Sequence, residues 1–187
     1  MDVYEAIKIR RSVRSYETRQ VPDDVLMRVL EAGRAAPSAS NSQPWHFIVV
    51  KSPEKRLILS KRMFTKFLVE SPVVIVGCGE REKRFHLVDV SIAMQQIVLA
   101  ATAEGLGTCW IGDFDEKVVR DLLKLPDKYN VVCLLAVGYE REKLDLATKL
   151  LRTRSRKKIE EIVSLNEFGK TMIHARVGEV PARAICL

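Results

Sequence analysis

The sequence predicts an α+β fold, a central and mostly antiparallel sheet flanked by helices. Apolar residues at helical spacing and β-branched runs are mixed along the chain, without the regular alternation of a doubly wound sheet. Proline, glycine and helix-capping residues punctuate most changes of period. Residues 87–104 are apolar on nearly every side, so a helix there must pack in a core or a subunit interface.

The elements follow in order. Asp2 can cap a helix that places Val3, Ala6 and Ile7 on one face and ends near residues 10–12. Pro22, Asp23 and Asp24 open a second helix, in which Leu26, Val29, Leu30 and Gly33 keep helical spacing toward Pro37. Residues 46–51 form a strand, and Pro53 with Glu54 starts a third helix. Residues 73–78 are apolar and β-branched enough for a central strand. Gly105 and Gly107 stop the apolar helix. A short strand at 108–111, a helix at 116–125, a strand at 131–139 and a basic C-terminal stretch complete the chain.

Length and composition bound the function. A chain of 187 residues, 47% hydrophobic and 29% charged, suits one compact globular domain. Its continuous apolar stretches fall short of the ~20 residues of a membrane span, and the first residues carry no secretory pattern. No membrane role is expected. Cys78, Cys109, Cys133 and Cys186 form no C-x-x-C pair, which fits a reducing, cytoplasmic setting. The net charge of +7 gathers at Arg10, Arg11 and Arg14, at residues 55–62 and at residues 152–158. With 6% aromatic residues and none within 152–158, a stacking nucleic-acid surface is not expected.

Four stretches can carry chemistry. In KIRRSVRSY, Arg10, Arg11 and Arg14 offer paired donors that match phosphate oxygens, and Ser12 adds a hydroxyl. The same cluster suits a helix C-terminus complementing its dipole, or a nucleic-acid backbone. In APSASNSQPWHF, the amides, hydroxyls and backbone of residues 38–43 can bond the edge of a polar heterocycle, or simply cap a helix-to-strand turn. In GLGTCWIGDFD, glycines allow a close backbone approach to a ligand, although neither a dinucleotide fingerprint nor a P-loop is present. RTRSRKK is a second source of phosphate-binding cations or a solvated face. His46, His86 and His174 have no metal-ligand spacing, and no nucleophile elbow occurs. Phosphate donors without a nucleophile imply a bound cofactor that supplies the reactivity.

In this order the four stretches resemble the nitroreductase family of FMN-dependent oxidoreductases, over about residues 2–168. The motifs are R-R-S-x-R, P-S-x-x-N-x-Q-P-W, G-L-G-x-x-x-I-G and the late R-S-R. The resemblance implies an intertwined homodimer and a flavin domain over residues 1–170, with residues 171–187 as an extension of unassigned role. It implies FMN as cofactor, NAD(P)H as co-substrate and a small-molecule electron acceptor such as a nitroaromatic or quinone. Dehalogenation or flavin fragmentation on the same fold is the alternative. By the same resemblance, Arg10, Ser12 and Arg14 bind the FMN phosphate, ribityl chain and pyrimidine edge, with Arg11 adding main-chain or phosphate contacts. Arg154 and Arg156 close on the phosphate. Pro37, Ser38, Ala39 and Asn41 come from the partner chain. Backbone N–H groups of Ile111, Gly112 and Asp113 face flavin N5, beside Trp110. Larger members carry a helical insertion before the long helix, where this chain is short.

Overall fold

Local capping chemistry fixes the elements of the computed structural model, which describes residues 1–141 and 156–170. Arg154 lies outside the described residues, as does the extension 171–187. Helix α1 (Val3–Ile9) begins where the Asp2 carboxylate accepts the Glu5 N–H at 2.8 Å. Helix α2 (Asp23–Arg34) follows Pro22 and buries Leu26, Val29 and Gly33. Strand β1 (Trp45–Val50) leads to α3 (Pro53–Leu59), capped by the Ser52 hydroxyl, and to a 3₁₀ segment at Met63–Val69. Strand β2 (Val73–Glu80) precedes the long helix α4 (His86–Ala103). Strand β3 (Gly107–Ile111), helix α5 (Glu116–Leu123) and strand β4 (Tyr129–Gly138) complete the set.

The four strands form one antiparallel sheet in the order β1-β2-β4-β3. The two central strands alternate over Val73–Val76 and Cys133–Val137, beyond a register irregularity at Gly77/Cys78. Val74, Val76, Leu134 and Ala136 face a layer containing Leu59, Leu68, Val119 and the N-terminal residues Val13 and Tyr16. Val73, Ile75, Leu135 and Val137 face α2 and α4, through Val29, Met94, Ile97 and Val98. Each such side chain taken fully out of water contributes about 1.5–3 kcal/mol, so the central strands anchor everything placed on the edges. The predicted α+β class and antiparallel sheet are therefore present.

Helix α4 is apolar on two faces, as expected. Asp89, Val90, Ala93, Met94, Ile97, Val98, Ala101 and Thr102 are buried against the sheet and α2. The opposite face leaves Leu87 and Val88 more than half exposed. It is the one helix among the described residues long and apolar enough to cross a membrane, at 18 residues and mean hydropathy 1.3. Its packing on the sheet marks it as a core helix. It ends on a paired hydrogen-bond motif: Leu106 N–H donates to Ala101 O at 2.8 Å, and Gly105 N–H to Thr102 O at 3.0 Å. Gly105, at φ 76°, supplies the left-handed turn that this ending requires.

The chain divides into two compact units, Met1–Lys143 and Leu144–Leu187. Within the second, residues 156–170 contain a short 3₁₀ turn at Ile159–Glu161 and expose Ile159, Ile162, Leu165 and Phe168.

Candidate functional site

Beyond α1 the chain runs as a strap along the edge of the sheet. Ser12 pairs in parallel with Thr108 of β3, and Tyr16 pairs with Glu140 just after β4. Val13 N–H donates to Thr108 O at 2.8 Å, and Glu17 N–H to Tyr139 O at 2.9 Å. Val13 and Tyr16 are the buried anchors, and the Tyr16 hydroxyl donates back to Val13 O at 2.7 Å. This approach requires Gly107, because a Cβ there would stand 2.7 Å from the Val13 side chain. Two of the three glycines of the GLG-x-x-x-x-G loop thus serve the chain's own folding.

The strap separates its arginines by role. Arg11 faces Glu140, with Nε 3.3 Å from Oε1 and Nη2 paired to Oε2. Arg10 and Arg14 have no ion-pair partner among the described residues, and Arg14 is exposed. Burial pushes the Cys109 thiol up, against opposing contributions from the Arg14 charge and a hydrogen bond with Ser12. The structure therefore brings Ser12 and Val13 of the first motif against Thr108 of the third.

Residues 110–113 form the open end of β3. Cys109 and Ile111 point inward, whereas Trp110 is 36% exposed and Gly112 and Asp113 are exposed. A Cβ on Gly112 would meet nothing within 4 Å, so this glycine leaves space for something outside the chain. The Asp113 carboxylate pairs with Arg62 at 2.9 Å, a contact with no signature in the sequence. Nearby, Thr65 is buried and its hydroxyl donates to Leu59 O and Arg62 O, while Lys66 is exposed.

Residues 38–43 fold into a tight loop. A single 3₁₀ turn spans Ala39–Asn41, and Ser40, Asn41 and Gln43 all hold positive φ, at 52°, 52° and 45°. The loop closes through Ser38, whose carbonyl accepts the Asn41 N–H at 3.0 Å and whose hydroxyl accepts the Gln43 N–H at 2.9 Å. Asp89 of α4 accepts the Ala39 N–H at 3.1 Å. Sequence reasoning missed Asp89, although an acid at the core-facing spacing of an apolar helix was a usable signal. Among the described residues, no hydrogen bond or ion pair joins residues 37–43 to residues 10–14 or 110–113. Arg156 is exposed in the second unit.

The donor set suits a phosphorylated heterocycle. Two guanidiniums without an ion-pair partner among the described residues lie on the strap, and open backbone and an aromatic ring lie at the end of β3. No group of three His, Cys, Asp or Glu side chains among the described residues is placed to hold a metal.

Comparison with known proteins finds relatives over most of the chain. A Methanothermobacter thermautotrophicus protein provisionally named NADH dehydrogenase/NAD(P)H nitroreductase is 37% identical over 151 residues, covering 76% of this chain and 79% of its own. A solved nitroreductase family protein from Clostridium novyi NT superposes with TM-score 0.72 at 31% identity, over 91% of this chain and 97% of that one. The FMN-dependent nitroreductase of Clostridium difficile R20291 superposes with TM-score 0.75 at 32% identity, over 87% and 98%. Residues 7–74 and 59–139 match the Nitroreductase family, and with sequence and fold in agreement over most of its length, this chain belongs to that family.

Proposed function

We propose that this chain is an FMN-dependent oxidoreductase that draws on NAD(P)H to reduce a small acceptor such as a nitroaromatic or a quinone. The observation that carries the reading is the strap, which is bridged to β3 at Ser12 and leaves Arg10 and Arg14 without acidic partners among the described residues, while Arg11 is held by Glu140. A flavin bound there would supply the redox chemistry, carrying reducing equivalents from a reduced nicotinamide to the small acceptor. The chain's own residues bind and orient. Arg10, Ser12 and Arg14 hold the phosphate, ribityl chain and pyrimidine edge. Backbone N–H groups of Ile111, Gly112 and Asp113 serve the N5 side, with Trp110 beside them. Arg154 and Arg156 are assigned to the phosphate on their sequence motif. No side chain is assigned as a general acid or base.

We also propose a homodimer in which Pro37, Ser38, Ala39 and Asn41 serve the partner's flavin. Two observations support it: the exposed apolar residues Leu87, Val88 and Ile92 of α4, and the lack, among the described residues, of any polar link from residues 37–43 to the strap. The turn 81–85 between β2 and α4 is too short for a helical lid, which favours open access by small acceptors over lid-dependent dehalogenation or flavin fragmentation.

Fluorescence titration of the FMN-free protein with FMN tests the cofactor. Arg10→Ala should weaken binding by about tenfold or more, since a charge-assisted bond contributes about 1.5–3 kcal/mol. A wild-type protein that takes up no FMN refutes the reading. A heterodimer with Asn41→Ala in one chain and Arg10→Ala in the other should concentrate both defects in one site. Two equally damaged sites would refute the shared geometry.

A further inference from the structure

We propose that Asp89 is the positioning residue for the 38–43 loop, and that this buried carboxylate holds the loop in the place where it meets the flavin. The functional half of this inference rests on the reading above; the structural half does not.

The loop is an unfavourable conformation for its residues. Ser40, Asn41 and Gln43 sit in the left-handed region without being glycine, and such residues persist only where surrounding contacts over-determine them. The contacts inside the loop are all short-range: Asn41 N–H to Ser38 O, Ser42 N–H to Ala39 O, and Gln43 N–H to the Ser38 hydroxyl. They fix the shape of the loop but not its place on the molecule. Among the described residues, one hydrogen bond ties residues 38–43 to another element, from the Ala39 N–H to Asp89 Oδ1.

Asp89 is built for that task. It is 3% exposed, on a helix whose neighbouring buried positions are Val90, Ala93 and Met94. Burying a carboxylate there is costly unless its contacts matter. Its Oδ2 is also buried and has no hydrogen-bond partner among the described residues. A residue retained for packing alone would be apolar here, like the residues around it. The rigid α4 therefore transmits its position to the loop through a single acceptor atom, and the loop needs no specific side chain at Ala39, because the bond is to the backbone.

Amide hydrogen exchange of the FMN-free protein tests the tether directly. Asp89→Ala should speed exchange at the Ala39 amide by about tenfold relative to the core amide of Ile75, as expected for loss of the acceptor of a hydrogen bond. Asp89→Asn keeps an acceptor oxygen and should stay within about threefold of wild type. Unchanged Ala39 exchange in Asp89→Ala, or equal acceleration in both variants, overturns the proposal. Should Asp89→Ala fail to fold, Asp89→Asn still decides, because tenfold faster exchange at Ala39 would exclude the acceptor role.

FMN affinity and the visible circular dichroism of bound FMN test the consequence. Asp89→Ala should weaken FMN binding by about tenfold and alter the dichroism, while Asp89→Asn retains both. Loosened Ala39 with unchanged FMN affinity and dichroism overturns the positioning role. A wild-type protein that binds no FMN instead defeats the functional reading and leaves the exchange result standing.

Discussion

Replacing Gly107 with alanine should damage the fold and the ligand site together, because both depend on how closely the strap lies against β3. The new Cβ would stand 2.7 Å from Val13 Cγ2, 2.9 Å from Val13 Cβ and 3.0 Å from Val13 Cγ1. Carbon atoms prefer about 3.5–4.0 Å, so the strap must retreat by about 1 Å. Rotating the Val13 side chain cannot relieve the contact with its Cβ, which is fixed by the backbone. The retreat would also break the Val13 N–H bond to Thr108 O, now 2.8 Å. Overpacking costs about 1–3 kcal/mol and the lost bond about 0.5–1.5 kcal/mol, giving about 2–4 kcal/mol in all. For a chain of this size that is a fall in Tm of roughly 5–15 °C. Arg10, Ser12 and Arg14 ride on the same strap, so FMN affinity should drop by about tenfold or more. Gly112→Ala is the control. Its Cβ meets nothing in the chain, so Tm should hold within about 1 °C while FMN binding weakens through intrusion on the ligand. Thermal unfolding of the FMN-free proteins, followed by circular dichroism, gives the first quantity, and fluorescence titration gives the second. A Gly107→Ala protein with wild-type Tm and affinity would refute the account of the strap.

Arg11→Ala should lower stability by no more than about 1 kcal/mol, because its pair with Glu140 is half exposed; a loss above about 2 kcal/mol in urea unfolding would contradict this. Asn41→Gly should tolerate the positive φ yet lose the amide, whereas Asn41→Ala loses both. Equal Tm values for the two would show that the left-handed backbone is not strained. Burial pushes the Cys78 thiol up to about 11 and the Cys133 thiol up to about 12, so neither should react with iodoacetamide at pH 8 in the native state. These raised values favour the folded state fully below the ordinary thiol value near 9, and that contribution is lost as pH rises through about 11–12. Fast native-state labelling of Cys133, or stability that does not decline above pH 9, would count against it.

Much of the fold was legible because its signals are local. Asp2, Pro22 and Pro53 mark helix starts through chemistry within three residues, and the predicted strands lie within two residues of the observed ones. The strap was not legible as sheet structure. Its partners at Thr108 and Glu140 are distant in sequence, and a few bridging residues create no period. Of the site, the arginine cluster was readable as a cluster. Which member would be taken by Glu140 depended on a residue 129 positions away. The Ser- and Asn-rich loop announced a turn, since asparagine tolerates positive φ, but Ser40 and Gln43 gave no such sign. Asp89 was hidden by its company, one acid read as part of an apolar helix.

The strap also sets an order of events during synthesis. Residues 10–16 leave the ribosome well before the β3 and β4 surfaces that hold them, with Arg11 waiting for Glu140. At about 5–20 residues per second, that interval is roughly 6–26 s. Until then the nascent chain carries a loose basic N-terminal arm, and β3, once made, carries an open hydrogen-bonding edge. Closing the strap removes both hazards in one step, so a chain that loses its first sixteen residues would expose a strand able to recruit another.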